Sequence, residues 1–178
     1  MSFDPVLVKE FLSASDCDMV REFFSLNIDH FGYGEPGAYW TNRLINEHRL
    51  NVRDDASVKM ILGSIKFRAL YLALESLKFD RLFPQGIQIV SWPAGSQQDL
   101  HVDSYFKSTS VTGIVYLNDD FFGGETQFPT LDLSVKPTKG ALLLFDGSSV
   151  PHSVRAVERG ARYTVAMWFT KNIDAMGF

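Results

Sequence analysis

The segment ALLLFDGSSVPHSVRAVERGARYTVAMWF, residues 141–169, contains three short apolar stretches separated by glycine, proline, aspartate and serine. Each stretch has the length and the branched or aromatic residues of a β-strand, and the residues between them are typical of turns. Comparable stretches precede it: GIQIVSW (86–92), VTGIVYL (111–117), ETQF (125–128) and SVKP (134–137). This pattern predicts a mostly β protein built on an antiparallel double-stranded β-helix, or jelly roll, rather than a doubly wound parallel sheet.

The N-terminal half has a different pattern of apolar residues, which is mainly that of helices. Apolar residues near helical spacing predict a long helix from about Asp55 to Leu77. A shorter helix is predicted from Ser15 to about Phe24, opened by a capping box that pairs Ser15 with Asp18. Residues Val6 to Phe11 have the pattern of a short strand, which would precede this helix.

The stretch from Asn27 to Arg53 lacks a clean period and is expected to be loop with short irregular pieces, a length at which loops are often functional. At 178 residues the chain is long enough for one ordinary domain. We therefore expect a single domain over 1–178, with supporting helices and a lid in 1–85 and the jelly-roll core in 86–170. The helices are expected to form a layer packed on the major sheet.

The composition of the chain restricts the kinds of molecule that are expected to bind to it. The formal net charge is −4, apolar residues make up 46% and charged residues 21% of the chain, and no block of Lys and Arg occurs. Because phosphate binding requires a basic surface, nucleic acid is not an expected partner. No apolar run reaches 18 residues and the start lacks a signal-peptide pattern, so no membrane partner and a cytoplasmic location are predicted. The single cysteine, Cys17, fits a reducing compartment.

Three residues have the character of an iron site. Non-heme Fe(II) that binds a co-substrate and oxygen is commonly held by two imidazoles and one carboxylate. His101 and Asp103 are two residues apart, so an extended segment would aim both side chains to one side. His152 can return to the same place from a strand 51 positions further along the chain.

A second group would suit a dicarboxylate co-substrate. The planar fork of Arg162 matches a carboxylate, and strand alternation would aim Arg162, Thr164 and Ala166 to one face. The Thr164 hydroxyl could donate to the same carboxylate, and Tyr116 is a further candidate donor.

These residues lie within a wider resemblance. WPAGSQQDLHVD (92–103), YLNDDFFGGETQFP (116–129) and VKPTKGALLLF (135–145) followed by VPHSVRAVERGARYTVAMWF (150–169) resemble motifs of the Fe(II)/2-oxoglutarate dioxygenases, specifically the prolyl 4-hydroxylase-like branch. VKEFLSASDCDMVREFF (8–24) is similar to that family's opening strand and helix. The resemblance covers most of the chain and is loosest between Asn27 and Arg53.

The resemblance implies that His101, Asp103 and His152 bind catalytic Fe(II), and that 2-oxoglutarate is held by a second set of residues: Arg162, Tyr116 and Thr164. Two positions depart from the family pattern. Trp92 and Gln98 stand where the family usually has tyrosines, so the hydrogen bonds of those phenols must be replaced or absent.

The resemblance further implies a hydroxylase that inserts oxygen from O2 into a C–H bond and converts 2-oxoglutarate to succinate and CO2, with ascorbate as a candidate additional cofactor. The expected substrate is a prolyl residue of a peptide or protein, and a free amino acid or other small metabolite is the alternative. Candidate substrate-binding residues are Tyr39, Trp40 and Arg43 in the lid, and Thr126.

Two further readings of the same residues remain open. A non-catalytic jelly-roll sensor would bind metal and 2-oxoglutarate without turnover, although a cupin-like cluster of three His and a Glu would include a His-x-His pair that this chain lacks. Zinc hydrolysis at the same three residues is the other, and it would leave Arg162 and Thr164 without a purpose. His30 and His48 have no ligand-like neighbours in sequence and are expected to be surface or loop residues.

Overall fold

The computed structural model describes residues 3–26, 32–33, 43–46, 56–103 and 108–176, with the backbone alone for 32–33 and 43–46. Two helices, α1 (Ala14–Leu26) and α2 (Ala56–Leu77), lie in the N-terminal half. The strands in the described part are β1 (Val6–Val8), β2 (Gly32–Tyr33), β3 (Arg43–Asn46), β4 (Phe83–Pro93), β5 (Gln98–His101), β6 (Thr109–Tyr116), β7 (Phe122–Gly123), β8 (Thr126–Phe128), β9 (Leu133–Val135), β10 (Leu142–Phe145), β11 (His152–Val154), β12 (Val157–Arg159) and β13 (Ala161–Thr170). Short 3-10 turns occur at Pro129–Leu131 and Ile173–Ala175.

These strands form a seven-stranded sheet and a four-stranded sheet. The order in the large sheet is β1-β10-β6-β13-β4-β3-β2, and in the small sheet β5-β11-β8-β9. A two-stranded ribbon pairs β12 with β7. The pairings are antiparallel, and strands distant in sequence lie side by side, as in the predicted jelly roll.

Strand alternation divides the apolar residues of the large sheet between two cores. On β10, Leu142 and Leu144 pack against the helices, whereas Leu143 and Phe145 face the small sheet. Successive strand side chains point to opposite faces, so an all-apolar strand such as LLLF is expected where both faces are covered. The helices therefore cover one face of the large sheet and leave the other face to build the site.

The helical layer is joined to the sheet by polar contacts as well as apolar ones. Arg68 on α2 donates a 2.5 Å hydrogen bond to the carbonyl oxygen of Phe11 and stacks on the Phe11 ring. Lys139, which precedes β10, pairs with Asp18 on α1 at 2.6 Å. These contacts fix the helices against the strand ends.

The start of α1 differs from the predicted capping box. The helix begins at Ala14, and the side chain that accepts a hydrogen bond from the first turn is Ser13, whose Oγ lies 3.1 Å from the backbone nitrogen of Asp16. Ser15 is inside the helix and its hydroxyl contacts that of Ser13 at 3.0 Å. The prediction of Ser15 as the cap was wrong, because either serine can satisfy an orphan N–H and the sequence does not distinguish them.

The predicted fold class is confirmed in its principal parts. The long helix and the antiparallel strands after Gly86 lie close to their predicted positions, although the predicted first strand, Val6 to Phe11, is shorter and ends at Val8. Within 27–53, where loop was expected, β3 pairs with β4 and β2 pairs with β3, so the large sheet extends into this stretch. No described helix combines the length and apolar character needed to cross a membrane.

Candidate active site

The two histidines of the predicted iron site lie side by side on adjacent strands of the small sheet. His101 ends β5 and His152 begins β11, and the two are direct cross-strand partners in the register. Asp103 lies two residues beyond the end of β5. Antiparallel pairing therefore brings together three side chains that span 51 positions in sequence.

The facing atoms of these side chains surround a common point. His101 Nε2 lies 3.6 Å and His152 Nε2 lies 3.7 Å from Asp103 Oδ1. One potential ligand atom from each residue lies within 4.8 Å of the others. Distances of 3.6–3.7 Å exceed those of good hydrogen bonds. The arrangement thus resembles donors around a shared cation more than a directly bonded triad.

Backbone carbonyls set the tautomers of both rings. The Nδ1 of His101 lies 2.8 Å from the carbonyl oxygen of Asp99, and the Nδ1 of His152 lies 3.0 Å from that of Val150. Because a carbonyl oxygen only accepts, each Nδ1 must carry the hydrogen. In that tautomer Nε2 is the nitrogen with the lone pair, and in both rings it faces Asp103 Oδ1, the arrangement that metal-binding imidazoles adopt.

The two oxygens of the Asp103 carboxylate have different partners. Thr112 on β6 donates a 2.5 Å hydrogen bond to Oδ2, while Oδ1 faces the histidines. The backbone nitrogen of Asp103 donates to the carbonyl oxygen of Gly147 at 2.7 Å. A Cβ at position 147 would overlap the Thr112 hydroxyl and lie 2.7 Å from Oδ2, so glycine is required for this close approach.

The electrostatics favour the metal-binding protonation states. Burial raises the pKa of Asp103, but His101, His152 and the Thr112 hydrogen bond together outweigh burial and hold that pKa below its ordinary value. Burial lowers the pKa of His152, and Asp103 only partly opposes this change. A carboxylate that stays ionised and an imidazole that stays neutral are the forms that ligate divalent cations.

Arg162, the predicted partner of the co-substrate, is a buried cation that forms no ion pair with any residue in the described part of the chain. Its residue exposure is 1%, and its Nε has no hydrogen-bond partner among the described residues. Its described polar contact is from Nη2 to Thr126 Oγ1 at 3.4 Å. Burial lowers the pKa of Arg162, and the neighbouring Tyr116 opposes that effect. Since an unpaired buried charge costs several kcal/mol, the site fits an anionic ligand that would neutralise it.

The other predicted residues of this set divide into two positions. Thr164 lies on β13 two residues from Arg162 and, with it, lines the cavity that also contains the three candidate metal ligands. Tyr116 is fully buried behind them, where its hydroxyl lies 2.8 Å from Thr126 Oγ1, and burial raises its pKa. Thr126, predicted as a substrate contact, lines the cavity beside Arg162.

The cavity has a volume of about 80 Å³ and an inner wall that is mainly apolar. Sequence reasoning did not select several of its residues, which come from β4, β6, β11 and β13: Gln88, Val90, Thr112, Ile114, Val154 and Trp168. A signal for two of them was present, since strand alternation places Thr112 and Ile114 on the same face of β6 as Tyr116. Gln98, at one departing position of the family pattern, also lines the cavity.

The substrate-binding predictions are only partly accessible to the structure. Tyr39 and Trp40 lie outside the described residues, as do His30 and His48. Only the backbone of Arg43 is described, and it lies opposite Ser91 where β3 pairs with β4. The roles assigned to these residues stay predictions.

Gly123 and Gly124 have positive φ values of 75° and 70°, in a region of backbone conformation that favours glycine. A Cβ at Gly124 would lie 3.1 Å from Arg162 Cδ. The second glycine therefore allows the chain to pass close to the buried arginine.

A family model described as the 2OG-Fe(II) oxygenase superfamily matches residues 87–170. Residues 87–170 belong to that superfamily. The matched segment contains the three candidate metal ligands as well as Arg162 and Thr164. It extends from within β4 to the end of β13, and so includes the small sheet and four strands of the large one, β4, β6, β10 and β13.

Known proteins agree with this assignment. Prolyl 3-hydroxylase 2 of Rattus norvegicus is 45% identical over 65 residues, which cover 33% of this chain and 9% of that protein. A prolyl-4-hydroxylase structure from Pseudomonas putida superposes with a TM-score of 0.72 at 17% identity, covering 94% of this chain and 92% of that one. A Trichoplax adhaerens prolyl hydroxylase, solved with a hypoxia-inducible-factor peptide fragment, gives a TM-score of 0.73 at 16% identity, covering 93% and 83%. The structures show a shared fold, and the chain spans only about a tenth of the curated relative's length.

Proposed function

We propose that this protein is an Fe(II)- and 2-oxoglutarate-dependent hydroxylase that inserts oxygen from O2 into a C–H bond of a prolyl residue in a peptide or protein, releasing succinate and CO2. The observation that carries the proposal is the position of Arg162: a buried guanidinium without an anionic partner among the described residues, in the same cavity as a His-Asp-His cluster. A site that binds a metal alone, or a hydrolytic zinc site, gives no reason to bury that charge.

In this proposal His101, Asp103 and His152 hold the iron, with both imidazoles donating through Nε2 and the carboxylate through Oδ1. When bound, Fe(II) would activate O2 with electrons from the oxidative decarboxylation of 2-oxoglutarate, so that one oxygen atom enters the C–H bond and the other enters succinate. The protein would bind the co-substrate and exclude water. Arg162 and Thr164 would hold the distal carboxylate of 2-oxoglutarate. The apolar wall would keep water from the reacting centre.

The substrate class is supported by the names of the similar proteins. Both the curated relative and the two solved structures are prolyl hydroxylases, and one of those structures contains a peptide. These names divide between C3 and C4 hydroxylation, so product analysis must include both positions. No feature of the described residues favours a free amino acid or a non-catalytic sensor over a prolyl substrate.

The decisive experiment combines binding with turnover. Under anaerobic conditions, Fe(II) plus 2-oxoglutarate should give a visible charge-transfer band. In air, a proline-containing peptide library should gain one oxygen atom by mass spectrometry with matching release of succinate. Asp103→Ala should abolish both signals, whereas Asp80→Ala, at an exposed position, should retain them. A protein that binds 2-oxoglutarate but never releases succinate would refute the proposed activity.

Other expectations from the sequence and from the family resemblance stay predictions. They are cytoplasmic location, the absence of nucleic-acid and membrane partners, and use of ascorbate. Ascorbate use is checked directly by measuring how many turnovers the purified protein completes with and without it.

A further inference from the structure

Trp92 occupies a defined place beside the buried arginine. It is a buried residue on β4 whose direct cross-strand partner on β13 is Arg162. The Cζ atom of Arg162 lies 5.1 Å from the Trp92 ring centroid and 5.5 Å from that of Tyr116. Two aromatic rings therefore contact the guanidinium, and both distances are within the range of cation–π attraction.

The polar end of the same indole reaches the next cavity residue on β13. Trp92 Nε1 lies 3.4 Å from Thr164 Oγ1, with the N–H as donor. An indole N–H can only donate, so it uses the acceptor capacity of the hydroxyl and leaves the hydroxyl's own hydrogen free. That hydrogen is then available to a carboxylate beside Arg162.

We infer that Trp92 is a positioning residue for 2-oxoglutarate, which holds the guanidinium of Arg162 by stacking and orients the hydroxyl of Thr164 by hydrogen bonding. The inference rests on the proposed function. It also accounts for one departure from the family pattern: the tryptophan at this position supports the two carboxylate-binding side chains from behind. The contacts of Trp92 that carry the inference are with Arg162 and Thr164, so we expect its action on the co-substrate rather than on the metal.

Two variants separate the ring from its N–H group. Trp92→Phe keeps an aromatic face and removes the donor, and we expect the Kd for 2-oxoglutarate to rise about threefold. Trp92→Leu removes the ring as well, and the expected rise is about 10- to 30-fold. Calorimetric titration of 2-oxoglutarate into Zn(II)-loaded protein measures this without turnover. Tyr163→Leu, which removes a ring from the opposite face of β13, is the matched control and should leave this Kd unchanged.

Activity adds a readout that a merely structural role would not produce. The KM for 2-oxoglutarate should rise in both Trp92 variants, while kcat at saturating co-substrate and the Kd for the metal should stay near those of the wild type. A general loss of folding would change all three quantities together, and thermal unfolding of each variant detects it.

A double-mutant cycle tests the route through Thr164. If the indole N–H acts on that hydroxyl, Trp92→Phe should add nothing once Thr164→Val has removed it. Full additivity of the two substitutions would overturn the hydrogen-bonding half of the inference. Unchanged 2-oxoglutarate affinity in Trp92→Phe and Trp92→Leu would overturn the whole of it. Failure of the wild-type protein to bind 2-oxoglutarate would instead refute the proposed function.

Discussion

Replacing Thr112 by valine tests how the Asp103 carboxylate is prepared for a metal. The substitution removes the hydroxyl that donates a 2.5 Å hydrogen bond to Oδ2 and keeps a branched side chain in a buried strand position. Loss of such a partner to a ligating group typically lowers metal affinity 10- to 100-fold. We therefore expect the Kd for Fe(II) to rise by about 10- to 100-fold, equivalent to about 1.4–2.7 kcal/mol.

The assay is an anaerobic Fe(II) titration, repeated with Co(II) as a spectroscopic substitute. Thr109→Val provides a matched control, because Thr109 lies on the same strand and its hydroxyl also donates a buried hydrogen bond, at 2.8 Å to Gln85, away from the site. Both variants should lose stability of about 1 kcal/mol in urea. Only the Thr112 variant should lose metal affinity, and Thr112→Ser should recover most of it.

Equal metal affinity in the two valine variants would refute the reasoning. It would mean that the backbone bond from Asp103 to Gly147 already holds the carboxylate, and that the Thr112 hydroxyl contributes only to folding. A loss of affinity in Thr109→Val as large as that in Thr112→Val would refute it as well, since the effect would then follow stability rather than the local contact.

Two more outcomes follow from buried ionisable groups. Arg162→Met should raise the free energy of unfolding of the ligand-free protein by about 1–2 kcal/mol, because it removes an unpaired buried charge, and should eliminate 2-oxoglutarate binding; a urea titration showing lower stability would contradict this. Burial raises the pKa of the Cys17 thiol to about 11, so a thiol reagent at pH 8 should label the folded protein far more slowly than the unfolded one. Because the folded pKa lies above the unfolded value near 9.0, stability from this group is complete below pH 9 and declines as the pH rises toward 11; rapid labelling of the native protein at pH 8 would show that the thiol is accessible.

The sequence predicted those parts of the site that depend on local periodicity. His101 and Asp103 are two residues apart, and Arg162 and Thr164 likewise, so alternation along an extended chain was sufficient to place each pair on one side. The jelly roll was predictable for a similar reason, since apolar strands and turn residues alternate through the C-terminal half. The catalytic roles of these residues stay predictions.

The parts that escaped prediction depend on long-range pairing and packing of strands. Trp92 reaches Arg162 because the two residues are opposite each other in the register of β4 and β13. Thr112 reaches Asp103 because β6 of the large sheet faces the residues that follow β5 of the small sheet. Register is specified by pairing across the whole sheet and is not visible in either segment alone. The prediction of the N-cap of α1 was wrong for a more local reason. Ser13 and Ser15 are equally suitable N-cap residues by type, and in the structure it is Ser13 that accepts the hydrogen bond from the first turn.

The direct pairing of His101 with His152 has a consequence for folding. An ion shared by these residues would connect two points 51 positions apart in the chain, and the segment between them contains the five strands β6 to β10. An ion that binds the folded chain and not the unfolded one would stabilise the native state by mass action, increasingly as its free concentration exceeds its Kd. Folding of the small sheet would then be coupled to metal binding. A chelator would lower the stability of the protein as well as abolish its activity.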